Sequence, residues 1–166
     1  MVIEPIKLKL GDNEEAQFIA YTILLEDPLN EEALGKLLNG IDADVFVIID
    51  GSTSPNTSDL LYYLYLAHRN VNDGISIARD ANIEAMLYIQ CTTQISEAKR
   101  ISNPLGKRLI TIAALSIGRE IKVDPPPGDF FIGSVSRLSG GNCSRGRVIR
   151  MIMGRIRARR LITNDD

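Results

Sequence analysis

Short hydrophobic stretches alternate with polar breaks along the chain and predict a fold that contains both strands and helices. Residues 6–10 (IKLKL) alternate apolar and charged side chains, a period of two that is typical of a half-buried strand. Apolar stretches predict further strands over 17–25, where a short helix is the alternative, and over 45–49, 84–91 and 108–115. The stretches 45–49 and 84–91 are almost continuously apolar, which indicates central strands buried on both faces of a sheet.

Helix signals fall between these stretches. Asn30 precedes a predicted helix over 31–38, and Ser58 precedes one over 59–69 that is apolar on every side. A short helix is predicted over 94–101, and a last, arginine-rich helix over about 144–162. An apolar stripe runs along this last helix through Ile149, Ile152, Met153 and Ile156. The alternation predicts an α+β fold, with a single domain over residues 1–166 and a mixed β-sheet covered by α-helices.

The size and composition of the chain are those of one globular domain. It has 166 residues, of which 45% are hydrophobic and 24% charged. No apolar stretch approaches the roughly 20 residues that a membrane-spanning helix needs, and no secretion signal is recognisable, so we expect no membrane contact and a cytoplasmic location. Cys91 and Cys143 are the only cysteines. Without a secretory context they are predicted to be free thiols in a reducing compartment.

Charge is divided unevenly along the chain. The formal net charge is −2, yet residues 139–166 carry seven arginines and two acids, a net +5, and the preceding residues carry −7. An acidic body with an arginine-rich end indicates a polyanionic or acidic partner, although a solvated helix face is the more ordinary explanation. Arginine without lysine favours the partner, because the planar guanidinium matches phosphate and carboxylate groups.

The chemical inventory is poor for an enzyme. The loop over 50–58 follows a predicted strand and precedes a helix, a place where α/β proteins bind ligands, but it lacks the glycine spacing and the lysine of a phosphate-binding loop. His68, the only histidine, has no metal-ligand partner at a suitable spacing, so a structural role is expected for it. No nucleophile–base constellation stands out. We therefore predict no catalytic residue, no metal and no cofactor.

Basic side chains are the clearest positive signal. They occur at Arg79, Lys99 and Arg100 and again throughout the C-terminal helix. Phosphates would be neutralised by these groups, and bases would stack on guanidinium planes or on tyrosines. Aromatic residues make up only 5% of the chain, so a broad stacking platform is not expected.

Three short segments resemble a known family. The sequence SIAR at 76–79, followed by NIEAMLY at 82–88 and TQISEA at 93–98, is similar to the small non-catalytic subunits of the KEOPS complex. The preceding strand and apolar helix and the terminal amphipathic helix match that family in position. Two residues depart from its pattern: Thr93 stands where arginine is usual, and Cys91 stands where a small residue such as glycine is common.

The resemblance implies a role in making threonylcarbamoyladenosine in tRNA. A member of this family catalyses nothing; it binds the kinase-like ATPase subunit and helps to hold the single-stranded acceptor end of tRNA. The residues expected to contact RNA are Arg79, Lys99, Arg100, Arg147, Arg150 and Arg157. The residues expected to pack against the partner, with core packing as the alternative for each, are Leu60, Tyr63, Ile149, Ile152 and Ile156.

Two other functions stay open at this point. The chain would be a small phosphate-ligand-binding enzyme if the 50–58 loop, with Ser52 in it, holds an anion. It would be a structural adaptor if the arginine-rich tail binds an acidic protein surface and no RNA.

Overall fold

The computed structural model describes residues 4–11, 13–124, 131–134 and 143–163, and their side chains apart from those of 131–134 and 155–163. The strands are β1 (Ile6–Leu10), β2 (Glu14–Leu25), β3 (Ile41–Asp42), β4 (Val45–Asp50), β5 (Leu109–Ile117), β6 (Lys122–Val123) and β7 (Phe131–Ser134). The helices are α1 (Glu31–Asn39), α2 (Thr57–Asn72), α3 (Ala81–Gln90), α4 (Ile95–Ser102) and α5 (Arg145–Thr163), with a 3₁₀ turn over Gly51–Thr53.

One sheet organises the fold, and its strand order is β1-β2-β5-β4. β7 pairs with the C-terminal end of β2, on the edge whose N-terminal end pairs with β1. All of these pairings are antiparallel, where a mixed sheet was expected. β3 and β6 form a separate antiparallel pair. The predicted α+β class is confirmed.

The two faces of the sheet carry separate parts of the core. On one face Phe18, Val47 and Leu115 pack with α2, α3 and the start of α5. On the other face Ile23, Ile48 and Ile112 pack with α1. Each strand alternates its side chains between these faces, so helices cover the sheet on both sides, α1 on one and α2, α3 and the start of α5 on the other.

The strand predicted over 84–91 is wrong, because these residues form most of helix α3 and its C-terminal cap. Asp80 caps the start of this helix by accepting hydrogen bonds from the backbone N–H groups of Asn82 and Ile83. The residues from Glu84 to Gln90 are buried on all sides except at Met86. A helix without a polar face has no amphipathic period, so its sequence looks the same as that of a buried strand.

The stretch 45–49 is a strand, as predicted, but β4 lies at the end of the sheet order and not in its centre. The sequence of β4 is nevertheless apolar like that of a central strand, because helices cover its face and its open edge. Asn82 at the start of α3 accepts a hydrogen bond at 2.8 Å from the backbone N–H of Phe46. This contact occupies a backbone donor on the free edge, which would otherwise be open to pairing with another chain.

A carboxylate holds the corner where β4 and β5 meet. Asp44 accepts a hydrogen bond from the backbone N–H of Ile117 at 2.8 Å and pairs with the Nε of Arg119 at 2.7 Å. Burial opposes ionisation of the Asp44 carboxyl, but the bonds from Ile117 and Arg119 outweigh it and hold the pKa of Asp44 below its usual value.

We predict that Asp44→Asn lowers the stability of the fold at neutral pH and that the difference disappears in acid. A carboxyl whose pKa is depressed on folding contributes stability above its unfolded pKa, and this contribution is lost as the pH falls through the folded value. Thermal unfolding of both proteins between pH 7 and pH 2 tests this. A constant difference in Tm over that range would show that the contribution of Asp44 does not depend on its charge.

Candidate nucleic-acid interface

A buried carboxylate organises the segment that carries the family resemblance. Glu84 on α3 is 1% exposed and accepts hydrogen bonds from the backbone N–H groups of Ile77 and Ala78 and from the hydroxyl of Tyr88. The turn before α3 is therefore folded back onto the helix by one side chain. Arg79, which follows directly, is exposed at the surface. Glu84 thus has a structural role: it fixes the backbone on which Arg79 is presented.

The C-terminus of α3 is a Schellman motif with an unusual residue in it. The backbone N–H of Thr92 bonds to the carbonyl of Leu87, and that of Cys91 bonds to the carbonyl of Tyr88. Cys91 occupies the left-handed position with a φ of 56°, the only non-glycine residue with a positive φ in the described part of the chain. A side chain in this conformation costs roughly 1–2 kcal/mol relative to glycine.

Cys91 forms a disulfide with Cys143, with 5.2 Å between their Cα atoms. The prediction of two free thiols is therefore wrong. The sequence offered no signal for the pair, because the two residues are 52 positions apart and only the fold brings them together. The bond joins the end of α3 to a position two residues before the start of α5.

Four further contacts hold Cys143 and the first turn of α5 against α2 and the core. The hydroxyl of Tyr63 donates to the backbone carbonyl of Cys143 at 3.1 Å. Arg145 pairs through its Nε with Asp59 at 2.6 Å, and its guanidinium carbon lies 4.9 Å from the centre of the Tyr62 ring. Val148 is completely buried in the core beneath α2 and α3. The start of α5 is thereby fixed in position on α2.

A groove opens beside this contact. Its volume is about 280 Å³, and we call it the α2–β1 groove. It is lined by Leu8, Leu10, Ala16, Ser58, Leu61, Tyr62, Tyr65, Leu115 and Arg145. Apart from the guanidinium of Arg145 the lining carries no charge, and two tyrosine rings form part of its wall. An apolar, aromatic wall beside a single cation suits the flat face of an unstacked base whose phosphate lies next to it.

The predicted RNA-contact residues whose side chains are described are all exposed, and they lie on three elements. Arg79 precedes α3, Lys99 and Arg100 are in the last turn of α4, and Arg147 and Arg150 are in the first turns of α5. Within the described residues none of these five cations forms an ion pair. The side chain of Arg157 lies outside the described residues.

The predicted partner-contact residues separate into two groups. Leu60 and Tyr63 are 2% and 0% exposed, so they pack in the core and present no surface to a partner. On α5, Ile152 packs towards the core together with Val148, whereas Ile149 and Met153 are 42% and 48% exposed. These last two are four positions apart and lie on one side of the helix. The side chain of Ile156 lies outside the described residues.

The contacts of the 50–58 loop do not favour a phosphate site. Asp50 uses its carboxylate to accept from the backbone N–H and the hydroxyl of Ser52. The hydroxyl of Thr53 is bonded to the Asp50 carbonyl and accepts from Gln90. Gly51 lies against β5, where an added Cβ would come within 2.8 Å of Leu109 Cγ. The polar groups and the glycine therefore serve packing within the loop, and the nearby cation, Lys107, pairs with the Asp50 carboxylate at 3.8 Å.

Other kinds of site are not found in the part of the chain that the structure describes. There is no cluster of three or more potential metal ligands in it. The Nε2 of His68 lies 3.2 Å from the side-chain amide of Asn72 on the same helix. Among the described helices none combines the length and the apolar character needed to cross a bilayer.

No protein-family model matches the chain, and a search of curated proteins finds no match.

Sequence reasoning missed the α2–β1 groove. Its walls come from β1, α2 and the start of α5, which are far apart in the chain. One signal was present: Tyr62 and Tyr65 lie three positions apart in a helix that is apolar all round, so some of its large side chains must reach the surface of a domain this small.

We predict that Glu84→Ala destabilises the fold by about 2–4 kcal/mol, because it leaves buried backbone donors and the Tyr88 hydroxyl without their acceptor. Denaturant unfolding measures the effect. Glu120→Ala, at an exposed position, is the matched control and should change the free energy of unfolding by less than about 0.5 kcal/mol. Equal effects of the two substitutions would mean that the Glu84 carboxylate does not hold the turn.

Proposed function

We propose that this chain is the small non-catalytic subunit of a KEOPS-like assembly that makes threonylcarbamoyladenosine in tRNA. In this proposal it binds the kinase-like ATPase subunit and the single-stranded acceptor end of the tRNA, and neighbouring subunits make the new bonds. The α2–β1 groove is the observation that carries the proposal. It combines partly exposed aromatic and apolar surface with one cation, Arg145, beside a helix on which the exposed Arg147 and Arg150 form no ion pair within the described residues.

The RNA part of the proposal divides between two kinds of contact. A base freed from stacking enters the groove and lies against Tyr62 or Tyr65, where ring stacking is worth about 1–3 kcal/mol. Arg145 lies at the edge of the groove, and the exposed Arg147 and Arg150 follow it on α5. Neighbouring phosphates would be neutralised there. Double-stranded RNA cannot present an unstacked base in this way, so the groove favours a single-stranded end.

The partner part of the proposal rests on the exposed side of α5. Ile149 and Met153 form an apolar pair that the described part of the chain leaves exposed, and Arg150 is exposed beside them. An apolar pair rimmed by cations suits a protein surface with a hydrophobic centre and an acidic edge. We assign the kinase-like ATPase to this side. The cytoplasmic location stays a prediction that now follows from the tRNA role, since the free-thiol argument for it was wrong.

We predict that the chain binds tRNA with an affinity that falls steeply as salt rises, and that removal of the last three nucleotides weakens binding. Tyr65→Leu keeps the apolar bulk but removes the ring, so it should weaken binding by at least about fivefold, the value of one stacked base. Arg147→Ala should reduce the slope of log affinity against log salt by about 1. Fluorescence anisotropy with labelled tRNA measures all three effects.

The matched control for Tyr65 is Leu38→Ala, which truncates an exposed apolar side chain on α1, across the sheet from the groove. Its tRNA affinity should equal that of the unaltered chain. Equal binding of intact and trimmed tRNA would remove the acceptor end from the proposal, and the absence of any RNA binding would leave the adaptor function.

We predict that Ile149→Asp combined with Met153→Asp abolishes binding to the kinase-like ATPase, since two carboxylates would replace the apolar contact. Both positions are exposed, so the variant should fold with an unchanged Tm. Size-exclusion chromatography of the mixed proteins tests this, with Ile6→Asp on the exposed edge strand β1 as the control. Undiminished complex formation by the double variant would place the ATPase on another surface.

A further inference from the structure

The disulfide between Cys91 and Cys143 lies beside the α2–β1 groove and has no part in the proposed binding itself. Cys143 is two residues before Arg145, the one cation of the groove wall. From the structure we infer that the Cys91–Cys143 pair is a redox-controlled clamp. In the oxidised chain the disulfide keeps Arg145 in the wall of the groove, and on reduction Arg145 is no longer held there. The effect on RNA rests on the proposed function, whereas the clamp itself does not.

The conformation of Cys91 is the first argument. It occupies the left-handed position of the Schellman motif, where glycine would carry no strain. A cysteine at this position has a strained backbone, and only its side chain offers something that glycine lacks. That side chain makes a covalent bond to Cys143, so the position serves the link between α3 and α5 at the expense of the local helix end.

The location of the other contacts is the second argument. Within the described residues, Cys143 and α5 are held to the body by the disulfide, by the Tyr63 hydroxyl on the Cys143 carbonyl, by Arg145 on Asp59 and Tyr62, and by Val148 and Ile152 in the core. The ion pair is partly solvent-exposed, and such pairs are weak. The disulfide is the one covalent restraint on the start of α5 among these contacts, and its opening leaves Arg145 with contacts that water and salt compete for.

The accessibility of the bond is the third argument. Cys143 is 7% exposed, whereas Cys91 is half-buried at the end of its helix. A small thiol or a thioredoxin-like dithiol would therefore attack the sulfur of Cys91. The thiolate bonds to Cys91 Sγ, and Cys143 leaves as a thiolate and takes up a proton. A second reductant thiolate then attacks the reductant sulfur and releases Cys91 as a thiol, so the protein disulfide gains two electrons and the two reductant thiols are oxidised to a disulfide.

The test compares the full chain before and after treatment with dithiothreitol. Maleimide labelling under denaturing conditions should find no free thiol in the oxidised chain and two in the reduced chain. Hydrogen exchange of the backbone amides over 145–152 should be faster in the reduced chain, while exchange in β2 and β5 stays the same. The affinity for tRNA should fall by about tenfold on reduction, the loss expected when one base and its neighbouring cation are no longer held together.

Two variants separate the clamp from a general loss of structure. Cys91→Gly removes the bond and also relieves the left-handed strain, so its α3 end stays folded. Cys143→Ser removes the bond from the other side. Both should show the exchange and the tRNA affinity of the reduced chain, and neither should respond to dithiothreitol.

Each result decides between the claims. Free thiols in the oxidised chain, or equal exchange over 145–152 in both states, would overturn the clamp. Faster exchange on reduction with no RNA binding in either state would support the clamp and reject the proposed RNA function. Faster exchange with equal RNA binding in both states would reject the control of the groove by the clamp.

Discussion

The attachment of the first turn of α5 to α2 and α3 is the constraint on which the candidate site depends. It consists of the Cys91–Cys143 disulfide, the contacts of Arg145 with Asp59 and Tyr62, and the burial of Val148. A cross-link over 52 positions reduces the entropy of the unfolded chain and is worth about 4 kcal/mol in the chain-entropy model. That gain exceeds the cost of the left-handed Cys91, so the strained helix end is kept in the folded chain.

The groove follows from this attachment because no single element contains it. The sheet supplies Leu8 and Leu10 on β1, α2 supplies its tyrosines, and only the fixed start of α5 brings a positive charge to the same place. The same helix carries exposed arginines and an exposed apolar pair on its first turns. One short region therefore unites aromatic, cationic and apolar surface, which is the combination that a subunit joining an RNA to a protein requires.

The sequence predicted those features that depend on local patterns. β1 follows from strict alternation, and α1 from the Asn30 cap, which accepts from the backbone N–H of Ala33. The start of α2 was misplaced slightly, because Asn56 and not Ser58 supplies the cap. α3 was mistaken for a strand because burial on every side removes the helical period.

The disulfide and the groove join residues that are distant in the chain, and no local pattern encodes such a contact. The exposure of Ile149 beside the burial of Val148 likewise depends on which side of α5 meets the core.

The affinity of the oxidised Asp59→Asn variant for tRNA is the most direct test of this account. Asp59 makes no contact with RNA in the proposal; it orients Arg145 towards the groove. Removal of a negative charge near a polyanion should by itself strengthen binding. The account predicts the opposite sign: binding weaker by about two- to fivefold at physiological salt, the value of the lost ion pair. Unchanged or tighter binding would contradict the claim that the fixed position of Arg145 builds the site.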